Sequence, residues 1–309
     1  MSGRIQWPDG KDFAFTIFDD TDHTIFATVR DVYAFLSDSG FRTTKSVWPV
    51  RGKQTPVNGG DTCENPDYLA WVVNLQSMGF EIGYHMTTYH SSLREETIAG
   101  LEKFAELFGQ YPTTMANHVG CKENMYWGSA RVSGVHKCIY NLLTLNRNSK
   151  EFRGHIAGDE HFWGDICKAK VKYVRNFVFP EINTLKACPY MPYHDTKRPF
   201  VNYWYSSSEG ANVKSFNSML SEKNQDILEE EHGACIMYTH LGAGFYNGRV
   251  DAQFQRLMKR LSKKNGWFVP VRTLLDYIAE AQGHHNITNK ERSKLERKWL
   301  LYKVTIGTT

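Results

Sequence analysis

The feature that most constrains this chain is a hydrophobic period that changes and changes back. Phe13 to Phe18 reads FAFTIF, apolar at five of six positions, the pattern of a buried strand. Phe26, Val29, Val32, Tyr33 and Leu36 then recur at helical spacing, and Gly40 stops the run. FRTTKSVWPV reads as a second strand, Tyr68 to Met78 as a helix closed by Gly79, FEIGYHM as a third strand, and Leu93 to Phe108 as a helix closed by Gly109. Three strand–helix units within about 110 residues predict a parallel sheet or barrel, because each crossover helix has to cover a sheet face.

The cycle resumes later. TTMANHV reads as a fourth strand, and YVRNFVF and FVNYWYS as further ones. Val213, Phe216, Leu220 and Ile227 lie on one helix, followed by ACIMYTH, a helix with Phe254, Leu257, Met258 and Leu261, and WFVPV. A chain of 309 residues suits one barrel-sized domain or two smaller ones, and no linker divides this one. The expected fold class is therefore α/β, a closed or nearly closed barrel over residues 1–285. It carries an insertion at about 120–172, far longer than an ordinary strand-to-helix loop, and a basic helical tail at 286–309. Ser92-x-x-Glu95 and Thr288-x-x-Glu291 predict capping boxes for two helices. In the tail, Leu295, Trp299 and Tyr302 form an apolar edge opposite the charges, which predicts a docked helix with a solvated face.

Charge and cysteine content exclude several classes. There are 37 basic and 33 acidic residues, and the tail holds six basic residues against two acidic. The body is thus close to neutral, which argues against a nucleic-acid footprint. The basic tail is the one candidate for contact with an anionic membrane surface. Six scattered cysteines without a C-x-x-C pair predict reduced, mostly buried thiols. The first residues lack an apolar signal region, and no window reaches the roughly 20 apolar residues of a membrane span, so the expected location is the cytoplasm.

In parallel α/β folds the C-terminal ends of strands converge on one face. Four strands here end in polar groups: FAFTIF in Asp19, Asp20 and Asp22 with His23 beside them; FEIGY in His85, with His90 five residues on; TTMA in Asn117 and His118; and ACIMYT in His240. One Asp and two His make a three-ligand site for a divalent metal such as zinc, with a position left for water and substrate. A turn or helix cap explains one aspartate, not three in four residues.

These residues resemble the polysaccharide deacetylase, or NodB-homology, family, carbohydrate esterase family four. Ile17-Phe18-Asp19-Asp20-Thr21 is similar to the family's T-F-D-D-G, departing at the glycine, and Glu81-Ile82-Gly83-Tyr84-His85 to its E-I-G strand leading into H-[S/T]-x-x-H, with His90 one residue late. The resemblance implies a distorted (β/α) barrel, Asp19 as general base, Asp20, His85 and His90 as zinc ligands, and His240 as general acid. The family's R-x-P-Y arginine, which orients the catalytic aspartate, has no counterpart. Asn117 or His118 is the candidate substitute, with Asp22 and His23 as supports. In the insertion, Trp127, His155, Asp159, Trp163 and Asp165 are suited to gripping a sugar ring. The implied activity is metal-dependent removal of acetyl groups from an N-acetylated sugar, here a cytoplasmic glycan precursor. A metal-dependent amidase or deformylase acting on a small amide, and an inactive carbohydrate-binding scaffold, are the alternatives.

Overall fold

The computed structural model describes residues 5–147 and 150–307. Among them are ten strands: β1 Phe13–Asp19, β2 Thr44–Val47, β3 Glu81–Tyr84, β4 Thr114–Met115, β5 Tyr173–Phe179, β6 Tyr193–His194, β7 Tyr203–Ser208, β8 Ala234–Thr239, β9 Gly266–Phe268 and β10 His285–Asn286. Strands β1, β2, β3, β4, β5, β7 and β8 neighbour one another in that order, all parallel. Pairing of β7 with β8 at Ser208 and Met237 closes the ring. The fold is thus a seven-stranded parallel barrel wrapped by helices, the α/β barrel expected from the strand–helix cycle. β9 adds to β1, and β6 and β10 extend the sheet from β7.

Every residue of β1, β5 and β8 is buried, because a barrel strand meets side chains on its inner face and helices on its outer one. Phe18 points across the interior to Tyr205, their rings 6.3 Å apart. A Cβ on Gly83 would lie 3.0 Å from the Thr44 methyl and 3.3 Å from the Phe18 ring, so the interior needs glycine there. At the other end of β3, buried Glu81 accepts hydrogen bonds from Thr44 and Thr114 at 2.7 Å and from the Arg272 N–H at 2.9 Å, which ties three strands and a helix together. Burial pushes its carboxyl above the usual range, only partly offset by those donors.

The long connection between β4 and β5 carries the helix Gly134–Leu143, which lies against the C-terminal helix Asn289–Thr305. A buried charge cluster fastens the two. Arg292 donates to Asp195 at 2.7 to 3.0 Å, Arg198 pairs with Asp195 and, at 3.1 Å, with Glu296, and Glu296 accepts from the Ser133 N–H at 3.0 Å. Trp299 is fully buried between Tyr140 and Phe177. The C-terminal helix is thus seated by Leu295 and Trp299, and also by charges that the sequence pattern places in solvent.

Two local expectations differ. The helix expected across Val213 to Ile227 is two helices, Val213–Met219 and Glu222–Glu230, because Leu220 and Ser221 turn the chain between them. The cap before Arg94–Phe108 is shifted by one residue, with Glu96 accepting the Leu93 N–H at 2.9 Å in place of the Ser92–Glu95 pair. The box at Thr288 and Glu291 forms as expected. No disulfide forms among the six cysteines, and all except Cys138 are buried.

Candidate metal centre

The C-terminal ends of β1, β3, β4 and β8 meet at one mouth of the barrel. After Asp19 the chain leaves β1 through Asp20, Thr21, Asp22 and His23, with the Asp20 N–H bonded to the Thr239 carbonyl at 2.8 Å and His23 in the left-handed region at φ 58°. This turn lifts Asp22 over the barrel axis. Its Oδ2 lies 2.8 Å from His85 Nε2 and its Oδ1 3.1 Å from His118 Nδ1, while the two ring nitrogens are 3.2 Å apart. Asp22, His85 and His118 therefore direct one donor atom each at a common point. Trp48 walls both rings, with centroids 6.0 Å and 5.0 Å away, and all three ligating residues are 1–2% exposed.

The donor set of one carboxylate and two imidazoles matches what a zinc-type cation takes. The electrostatics agree. Although burial opposes it, hydrogen bonds from His118 and His85 hold the Asp22 carboxyl far below the usual carboxylate range. Burial depresses the His118 pKa against the pull of Asp22, which favours the neutral ring that a metal ligand requires. His85 Nδ1 and His118 Nε2, the far nitrogens, are buried without a partner, so the hydrogen bonds that usually orient metal-bound histidines are lacking here.

Around this triad sit two further groups. Asp20 faces the barrel interior and makes a two-pronged pair with Arg175 of β5, at 2.8 Å and 2.5 Å. Although burial opposes it, Asp20 above all, with Tyr205 and Tyr238, holds the guanidinium above its ordinary pKa, and the Phe18 and Tyr238 rings lie against it. His240 brings Nε2 to 3.6 Å from Asp22 Oδ2 and 3.4 Å from the Tyr238 hydroxyl, while its Nδ1 lies 2.7 Å from the Ala211 carbonyl. A carbonyl can only accept, so Nδ1 carries the hydrogen and Nε2 faces the site. The His240 side chain is 16% exposed, more than any member of the triad. His23, exposed, stands 6.1 Å from it, ring to ring.

Other residues singled out in the sequence lie elsewhere. Asp19 points outward between sheet and helices, where Lys45 Nζ approaches its Oδ2 to 3.0 Å, the Tyr33 hydroxyl donates at 2.9 Å and the Leu241 N–H donates at 2.8 Å. His90 accepts the Lys53 N–H at 2.8 Å and is bonded through Nδ1 to the Ser91 carbonyl, so both ring nitrogens are occupied away from the triad. Asn117 exchanges two hydrogen bonds with Met125 and shapes the loop. Trp163 is fully buried and donates to the Glu123 carbonyl, a packing role. Asp159 and Asp165 pair with Arg153 and Arg94. Arg175 was missed by sequence reasoning. Its signal is a charge at the third position of the apolar strand YVRNFVF.

No protein-family model matches the chain, and no curated protein is found similar to it. Solved structures do match. A "putative polysaccharide deacetylase" from Mycobacterium smegmatis superposes with a TM-score of 0.51 at 11% identity, over 93% of this chain and 97% of that one. Puue allantoinase gives 0.49 at 10% identity over 89% and 93%, and the peptidoglycan deacetylase PdaC from Bacillus subtilis 0.41 at 14% over 94% and 98%. The chain thus has the fold of the polysaccharide deacetylases, the class its motifs resemble.

Proposed function

We propose that this protein is a metal-dependent amide hydrolase that removes a small acyl group, acetyl above all, from an N-acylated sugar such as a glycan precursor. The observation that carries the reading is the convergence of Asp22, His85 and His118 beside the Asp20–Arg175 pair and His240. Asp22, His85 and His118 are the residues that would hold a divalent cation, zinc by the donor set. Bound there, such a cation supplies Lewis-acid polarisation of the amide carbonyl and lowers the pKa of an adjacent water toward ~7.

The chain's own groups do the rest. Asp20 accepts the proton of the attacking water, and Arg175 holds both its oxygens in one orientation so that no reorganisation is needed as charge develops. An amine leaves only once protonated, and His240, doubly protonated, gives the Nε2 proton while Ala211 anchors its other nitrogen. In this assignment the roles that the resemblance implies for Asp19 and Asp20 move to the next aspartate along the turn, Asp20 and Asp22 respectively. His118 takes the place of His90, and Arg175 that of the family's arginine. Burial of the triad to 1–2% exposure favours a short acyl end, and a small linear amide is the second reading on that ground.

The test is metal content by elemental analysis together with acyl release from a panel of N-acetylated sugars and small amides. Asp22→Ala and His118→Ala should lose metal, and Asp20→Asn should retain it without turnover. Loss of metal from Asp20→Asn with retention in Asp22→Ala would reverse the assignment.

A further inference from the structure

The helix Gly134–Leu143 buries His136 and Tyr140 and turns its other face outward. That outward face is aliphatic: Val135, Ile139, Leu142 and Leu143 are exposed, and Leu145 follows just past the helix end, with Leu142 at 75% and Leu145 at 72%. Surface helices normally present the reverse pattern, with polar groups to water. The contacts fix how this helix lies on its neighbour. Ser133 and His136 meet Glu296, and Tyr140 stacks on Trp299 at 5.8 Å, so the two helices run in the same direction and their C-terminal ends lie side by side. The end of the second helix is also aliphatic and exposed, at Leu301, Val304 and Ile306. Two exposed aliphatic stretches, distant in sequence, thus lie at neighbouring helix ends.

Their surroundings are cationic. Lys137 lies within the first stretch, Arg147 follows it and Arg297 precedes the second, all exposed; neither residues 132–150 nor residues 297–307 include an acidic side chain, the next being Glu151 and Glu296. We propose that this face is a docking surface for an anionic lipid bilayer, with the aliphatic side chains entering the headgroup boundary and the basic residues meeting lipid phosphates. The tail's charge alone does not supply such a surface, because Arg292 is buried against Asp195 and Lys298 reaches Glu181. A second copy of the chain fits less well, since a two-fold contact would bring the basic rims together. The exposed apolar residues are all Val, Ile and Leu, without the aromatic anchors that dominate protein interfaces. No described helix is long and apolar enough to cross a membrane, so the contact is one of surface adsorption.

Cys138 is the exposed cysteine and sits between Lys137 and Ile139 on this helix, so an environment-sensitive fluorophore attached there reports burial directly. The full-length protein is mixed with vesicles of phosphatidylcholine alone or with about a third phosphatidylglycerol, at low and high salt. A blue shift and co-sedimentation with the anionic vesicles are expected, weakened by salt as the charges are screened. Leu142→Ser with Leu145→Ser should reduce affinity by roughly tenfold per leucine, and Lys137→Gln with Arg147→Gln should abolish the preference for anionic vesicles. Both pairs are exposed, and unchanged circular dichroism checks their fold. Absence of binding to anionic vesicles at low salt overturns the proposal. So does undiminished binding by the leucine variant, or a dimer in solution that the leucine variant dissociates without any vesicle binding.

Discussion

Two of the buried charge clusters in this molecule are built on opposite principles. At the C-terminal helix, Asp195 and Glu296 face Arg198 and Arg292, two charges of each sign, and each carboxylate is fully hydrogen-bonded. At the barrel mouth, Asp20 is balanced by Arg175, which leaves Asp22 as a surplus anion whose neighbours are two histidines with converging ring nitrogens. A balanced cluster is complete and holds elements together. An unbalanced one leaves a buried carboxylate beside neutral-capable donors, a set compatible with a divalent cation.

That contrast can be broken. The largest effect expected is from Asp22→Ala, which should remove bound metal and cut turnover on the order of a thousandfold or more, the loss of several kcal/mol of charge stabilisation. Asp20→Asn should lower kcat by about 10²–10⁴ with metal retained, as elemental analysis and steady-state rates will read. In the balanced cluster the signature inverts. Asp195→Ala strands the buried Arg292 guanidinium and leaves Arg198 to Glu296 alone, and should cost about 3–5 kcal/mol in urea unfolding, with metal content per folded molecule unchanged. Asp22→Asn, by the same measurement in chelator, should cost less than Asp195→Ala, since the amide keeps its contacts with His85 and His118 and loses only the ionised form that they favour. If both variants lose the same stability in chelator, the distinction between the clusters fails.

Smaller effects sharpen the same comparison. The folded-state pKa of His118 lies below its unfolded value of about 6.5, so as pH falls through that value the unfolded chain takes up a proton that the folded chain refuses. Stability of the metal-free protein from this group is therefore full above pH ~6.5 and declines below it, by at most ~1.4 kcal/mol per pH unit. His118→Gln should flatten that slope between pH 7.5 and 5.5 in urea titrations. The smallest change belongs to His90→Ala, expected to cost about 1 kcal/mol for its lost hydrogen bonds and to leave metal content alone. Loss of metal in that variant would return His90 to the ligand set.

Much of the site was legible without coordinates. Polar groups at the ends of apolar strands located Asp20, Asp22, His85, His118 and His240, because a parallel barrel delivers every strand's C-terminal end to one mouth. Division of labour among them was not legible. Asp19 and Asp20 are chemically identical neighbours, and only the pleat separates them: β1 sends Phe18 and Asp20 inward, and Asp19 out to Lys45 and Tyr33. Likewise His90 lies nearer His85 in sequence than His118 does, yet Lys53 and Ser91 hold its ring and the end of β4 presents His118.

Local rules therefore determined what could be read locally: the strand–helix alternation, the barrel it builds, and the set of ionisable groups at its mouth. These depend on periodicity and on residue type, which a linear chain displays. Which carboxylate meets which cation was decided by tertiary structure alone. Arg175 and Asp20 are 155 residues apart, as are many chemically equivalent pairs, and pairing energy depends on distance and burial that exist only once the barrel has closed.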